Sequence, residues 1–263
     1  MKIQTTRSLG LAVLLMAVTH PVRANIILFQ DNFESGNLNK WTGKDGAPSN
    51  GLIVSDPLNP ANHVLTFTAV NSYGDTYSAM PLDVSRPRPY ILSFDFLGVP
   101  DPNDPARQNG GFIGIAEAPT SDAEQFWIAG TYPGAITVPS PVATVLVPDG
   151  VWHHYDIDFT SVVVSNNLAQ TLVMVEDWFN FGSVPGDAFF DNIRVVGVFD
   201  INTILAQVPC EGPAPGMTWK NHGAYVSTVA KLVETYLNAN IIAPEEALEI
   251  MFIAARSDCG KKK

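Results

Sequence analysis

The sequence predicts an all-β fold, an antiparallel β-sandwich, followed by a small disulfide-stapled α-helical hairpin. Three observations carry this. From Ile26 to Val198, short runs rich in β-branched and aromatic residues are separated by Pro, Gly, Asn and Asp clusters, and several alternate with period two. After Pro209 the apolar residues recur at helical spacing instead. The only two cysteines, Cys210 and Cys259, both fall in that second region.

The N-terminus sets the compartment. Lys2 and Arg7 precede an apolar run from Leu9 to Val18, and Val22-Arg23-Ala24 puts small residues where a signal peptidase reads, so residues 1–24 are expected to be a signal peptide. About 10 apolar residues do not span a hydrocarbon core roughly 30 Å thick, and no second run follows, so no transmembrane segment is expected. The chain reads as secreted, periplasmic or cell-surface. No Asn-x-Ser/Thr sequon with a permitted middle residue occurs, which fits a bacterial product.

The sandwich is expected over residues 25–200. His63 to Val70, Tyr90 to Phe96, Gly111 to Ile115, Trp152 to Phe159 and Thr171 to Val175 are its clearest strands. Pro57, Pro60, Pro100, Pro102, Pro105, Pro139 and Pro141 lie between the runs, where a missing N–H breaks no ladder. Residues 201–209 read as a linker and 210–263 as the helical module. Tyr225, Val226, Val229, Val233, Tyr236 and Leu237 share one face of a helix from about Gly223 to Asn238. A second helix begins near Pro244, with Glu245 and Glu246 complementing the positive end of its dipole, and runs through Leu248, Met251 and Ala255. Two short helices hold little core, and in an oxidising compartment the simplest pairing joins Cys210 to Cys259. Closing a loop of about 50 residues contributes about 4 kcal/mol in the chain-entropy model.

Charge excludes one class of partner. Residues 25–209 hold 6 Lys and Arg against 20 Asp and Glu, a formal charge of −14, while residues 210–263 hold 6 of each. No basic groove exists to follow a phosphate backbone, so nucleic acid is not an expected partner.

Two segments carry a family resemblance. Asp31-Asn32-Phe33-Glu34-Ser35-Gly36 with Trp41, and Phe189-Phe190-Asp191-Asn192-Ile193-Arg194-Val195, resemble the first and last strands of secreted jelly-roll carbohydrate-binding modules, whose terminal strands lie together and share a structural calcium. Asp149 to Tyr155 resembles a structural strand of laminin-G and concanavalin-like sandwiches. The resemblance implies calcium as a cofactor, held by Glu34 and Asp191, with Asp31 and Asp75 as further candidates. Hard oxygen ligands from distant strands suit a six- to eight-coordinate ion. Trp219-Lys220-Asn221-His222-Gly223-x-Tyr225-Val226 resembles a C-terminal module of unassigned role found on exported bacterial proteins. Its usual further cysteine is replaced here by Ser227-Thr228.

The implied partner is a polysaccharide or cell-surface glycan. A pyranose stacks its C–H face on an aromatic ring while its hydroxyls seek carboxylates and amides. Trp127 and Tyr132 form one candidate platform, and Trp178, Phe179 and Phe181 another, with Glu176, Asp177 and Asn180 as polar contacts. Trp41 and Trp152 are assigned to the core. No enzyme signature stands out. Glu-x-Asp-x-x-Glu, His-x-His, His-Glu-x-x-His and Gly-x-Ser-x-Gly are all absent, and Glu176-Asp177 point to opposite faces of a strand. Tyr155 with His153 is the one pair that a sandwich-type lyase could use. The leading reading is a non-catalytic glycan or surface binder. The alternatives are a polysaccharide lyase or glycoside hydrolase with a diverged site, and an envelope interaction protein.

Overall fold

The computed structural model describes residues 23–70, 76–100, 109–178, 184–239 and 241–261. Most of the expected signal segment, and the candidates Asp75, Phe179, Asn180 and Phe181, lie outside the described residues.

Two sheets face each other. The first runs in the order β11 (His153–Asp158), β7 (Tyr90–Gly98), β13 (Ala188–Asp200), β4 (His63–Phe67), β3 (Gly51–Ser55), with β1 (Arg23–Asp31) also paired to β13. The second runs β10 (Thr144–Val145), β9 (Gln125–Gly130), β8 (Gly111–Ala116), β12 (Gln170–Asp177), β5 (Thr76–Ser78), β2 (Trp41–Thr42), with β6 (Leu82–Asp83) also on β12. All pairings are antiparallel except β10 on β9. The first and last strands of the sandwich lie side by side, with Asp31 opposite Ile193.

Period-two alternation decides which residues fill the space between the sheets. Leu92, Phe94 and Phe96 of β7, Ile113 and Ile115 of β8, Val173 and Val175 of β12, and Phe190, Ile193 and Val195 of β13 pack into one core. Trp41 joins them, as expected. Trp152 does not. It is half-buried on the opposite face of the first sheet, against Val64, Leu97 and Phe189.

The opening motif folds as a turn. Phe33 is fully buried at φ 56° and stacks on Trp41, with centroids 5.9 Å apart. Gly36 follows at φ 66°, a region glycine enters without steric cost.

Beyond the sheets, α3 (His222–Asn238) and α4 (Pro244–Arg256) form the expected hairpin, stapled by a Cys210–Cys259 disulfide with Cα atoms 4.6 Å apart. Tyr225, Val229 and Val233 face its core as the spacing predicts. One expectation changes. Residues 201–209 are not a bare linker: α2 (Ile201–Leu205) and Val208 bury Ile201, Ile204 and Val208 among the hairpin residues. In α4 the buried stripe is Glu246, Ala247, Ile250 and Ala254, while Leu248 is 73% exposed.

Glu246 faces inward because it meets Arg88 there. Arg88, just before β7, donates from Nη1 to Glu246 Oε1 at 2.5 Å and from Nη2 to Oε2 at 2.9 Å, and from Nη2 to the Ile241 carbonyl at 3.0 Å. Glu246 Oε2 also accepts the Ala243 N–H that opens α4. Both side chains are buried, so the pair joins the hairpin to the sandwich.

Candidate functional site

The second sheet has an aromatic outer face. Strand alternation sends Leu172 and Met174 of β12, Phe112 and Ala116 of β8, Trp127 of β9 and Tyr77 of β5 away from the core, where they form a separate buried cluster. Gln125 donates its amide to the Tyr77 hydroxyl at 2.9 Å on the same face. Half-buried Tyr132 and Trp178 lie over the cluster, stacked at 5.9 Å with planes 25° apart. Phe112 stands edge-on to both Trp178 and Trp127, at 5.5 and 5.8 Å.

The structure therefore brings Trp127, Tyr132 and Trp178 together and ranks them. Trp127 is 7% exposed and stands at the back of the cluster, so its ring offers no open platform. Tyr132 and Trp178 keep partial exposure. Glu176 and Asp177, paired through β12 to Phe112 and Gly111 of β8, are 1% and 0% exposed. They are not surface groups that a sugar hydroxyl meets.

The terminal strands meet at an acidic corner. Asp191 is buried, and accepts from Asn62 Nδ2 at 2.9 Å and Asn192 N at 2.7 Å. Burial pushes its carboxyl up to about 6 despite those donors, and the charges of Asp95 and Glu34 push it the same way. Glu34 is exposed and takes the His63 N–H at 2.8 Å, which holds its carboxyl below the ordinary value, helped by the His63 side chain. Asp31 is drawn elsewhere. Its oxygens accept from Trp41 Nε1 at 2.8 Å, from Phe33 N at 3.2 Å and from Lys40 at 3.4 Å.

Does calcium suit this corner? The donor type is right, since two carboxylates from the terminal strands repel each other and an ion between them would relieve that repulsion. The donor number is short. Among the described residues no three His, Cys, Asp or Glu side chains are placed to hold a metal. Binding by Glu34 and Asp191 would need Glu34 to leave His63, with carbonyl oxygens completing the shell.

Tyr155 and His153, the pair that the lyase alternative would use, each have local partners. Tyr155 stacks on Phe94 at 5.3 Å and its hydroxyl accepts the Val147 N–H at 3.0 Å, while His153 bonds Asp149 at 2.9 Å. Next to it, on the outer face of the first sheet, is a constellation the sequence reading missed. His154 Nδ1 lies 2.6 Å from Asp95 Oδ1, and its Nε2 lies 3.5 Å from Ser93 Oγ. Ser93-x-Asp95 on an alternating strand was the available signal. The missing knowledge was the register that sets His154 opposite Asp95.

No protein-family model matches the chain, and no curated protein does. Solved structures of similar shape exist. The tandem N-terminal family 22 carbohydrate-binding modules of Paenibacillus barcinonensis Xyn10C align over 65% of this chain and 50% of theirs, at 16% identity and TM-score 0.41. The C-terminal family 22 module of Clostridium thermocellum Xyn10B aligns over 66% and 96%, at 12% identity and TM-score 0.38. The K3 adhesin domain of Lys-gingipain from Porphyromonas gingivalis aligns over 65% and 100%, at 11% identity and TM-score 0.37. All three scores are below 0.5, so function is read from this chain's own side chains.

Proposed function

We propose that this is an exported glycan-binding protein whose sandwich presents Tyr132 and Trp178 to a polysaccharide or cell-surface glycan. One observation carries the reading: these two half-exposed rings stack over an aromatic cluster that lies outside the main core, on the outer face of a sheet. A buried ring cluster beneath fixes the platform, and a fixed platform loses little entropy when a pyranose settles on it. No proton moves in such stacking. Titration of a bound oligosaccharide should therefore give nearly constant affinity between about pH 5.5 and 8.5, whereas general acid–base chemistry gives a bell. A strong dependence in that window refutes the stacking reading.

Calcium is part of the same proposal, as a structural ion at Glu34 and Asp191. Without it, Asp191 opposes folding at neutral pH. Its folded pKa of about 6 lies above the ordinary 3.8, so the penalty is full above pH 6 and is relieved as pH falls toward 3.8. In chelator, Asp191→Asn should melt at or above the wild-type temperature at pH 7 and lose most of the wild-type gain between pH 7 and 5. With calcium at 100 times its dissociation constant, wild type should gain about 2.7 kcal/mol and the variant little. Equal wild-type melts in calcium and chelator refute the calcium proposal.

A further inference from the structure

We propose that Ser93, His154 and Asp95 form a nucleophile–base–orienter triad that hydrolyses small carboxylic esters in the groove on the outer face of the first sheet. Ser93 and Asp95 are two residues apart on β7 and so share a face, and His154 is the register partner of Asp95 on β11. Asp95 Oδ1 lies 2.6 Å from His154 Nδ1, and Nε2 lies 3.5 Å from both the Ser93 hydroxyl and Asp156 Oδ2. With the proton on Nδ1, Nε2 is the nitrogen that accepts from Ser93, a reach that tightens when substrate binds.

The orienting carboxylate is itself fixed. Asp95 Oδ2 accepts from Asn192 Nδ2 at 2.7 Å. Asn192 adopts φ 50° at the β13 irregularity between Asp191 and Arg194, so the bulge turns an amide toward the triad. The groove encloses about 540 Å³, with Ile91, Val196 and Val198 as apolar lining and Asp156 and Arg194 as its other charged groups. Arg194 is the register partner of Ser93 on β13, and its side chain lines the groove. A positive group there faces the oxygen on which negative charge develops.

The chemistry balances with water as the only co-reactant. Ser93 Oγ adds to the ester carbonyl carbon as His154 Nε2 takes its proton, and the carbonyl π pair moves onto oxygen. Collapse breaks the bond to the alkoxide, which leaves with the proton from His154 as the alcohol. Water, deprotonated by His154, then attacks the acyl-serine carbonyl; the carbon–Oγ bond breaks and Ser93 regains its proton. Ester and water become acid and alcohol.

His154 is free of the sheet on its outer side, since β11 is an edge strand. The charged groups facing it are Asp95 on β7, Asp156 on its own strand at 3.5 Å, and Arg194 across the groove. The hydrogen bond to Asp95 raises its pKa above the ordinary value, and the charges of Asp95 and Asp156 add to that against a desolvation that lowers it. The rate should rise with pH through that raised pKa, and Asp156→Asn should move the rise to lower pH.

The test uses the full chain, p-nitrophenyl acetate and a fluorophosphonate probe. Wild type should be labelled at Ser93, as mapped by peptide mass, and should hydrolyse the ester. Ser93→Ala and His154→Gln, with circular dichroism and melting unchanged, should each lose about tenfold or more of kcat/KM. Absence of label on Ser93 in folded protein overturns the proposal. So does wild-type hydrolysis no faster than Ser93→Ala.

Discussion

Replacing Glu246 by Ala is expected to destabilise the protein by about 3–5 kcal/mol, the loss typical when one partner of a buried ion pair is removed. Three things fail together. The Arg88 guanidinium keeps its burial and loses both carboxylate oxygens, and the Ala243 N–H at the start of α4 loses its acceptor. Arg88 lies close against β13, where a Cβ on Gly197 would stand 2.7 Å from Arg88 Cδ. Glu246→Gln keeps the shape and the cap acceptor and should lose less. Denaturant unfolding of the full chain measures both variants. A loss below about 1 kcal/mol for Glu246→Ala would mean that the hairpin is not held by this pair.

Trp127→Ala should be similarly severe, about 3–5 kcal/mol, because a large ring at 7% exposure leaves a cavity between Phe112 and the loop that carries Tyr132. Trp178→Ala should lose much less stability, since that ring is half-exposed and its removal opens to solvent. The contrast separates support from platform. Equal melting losses for the two would place Trp178 in the core and remove it from the glycan surface.

These two residues also show what sequence can reveal. The strands of Leu92, Phe94 and Phe96, or of Val173 and Val175, were legible because burial between two sheets imposes period two on a single chain segment. The helices were legible for the same local reason, as was the cysteine pair. Which aromatics are platform and which are support was not legible. Trp127 and Tyr132 are five positions apart, and only the return of the loop after β9 onto Phe112 and Trp178 distinguishes them. Register was equally hidden. Ser93, Asp95 and His154 are read as ordinary strand residues until β11 is set against β7. The buried face of α4 was not legible, because a charged residue, Glu246, turns inward to meet Arg88, 158 positions away. An apolar pattern cannot anticipate that.

Glycan binding should depend on the Tyr132 and Trp178 platform. The most direct measurement is calorimetric titration of wild type and Trp178→Ala, at equal folded fraction, with an oligosaccharide chosen by a glycan-array screen of the full chain. Wild type should bind, and Trp178→Ala should bind about tenfold more weakly, the equivalent of roughly 1.4 kcal/mol of lost stacking. Unchanged affinity in the variant, or a wild-type chain that retains no glycan on the array, would contradict the account.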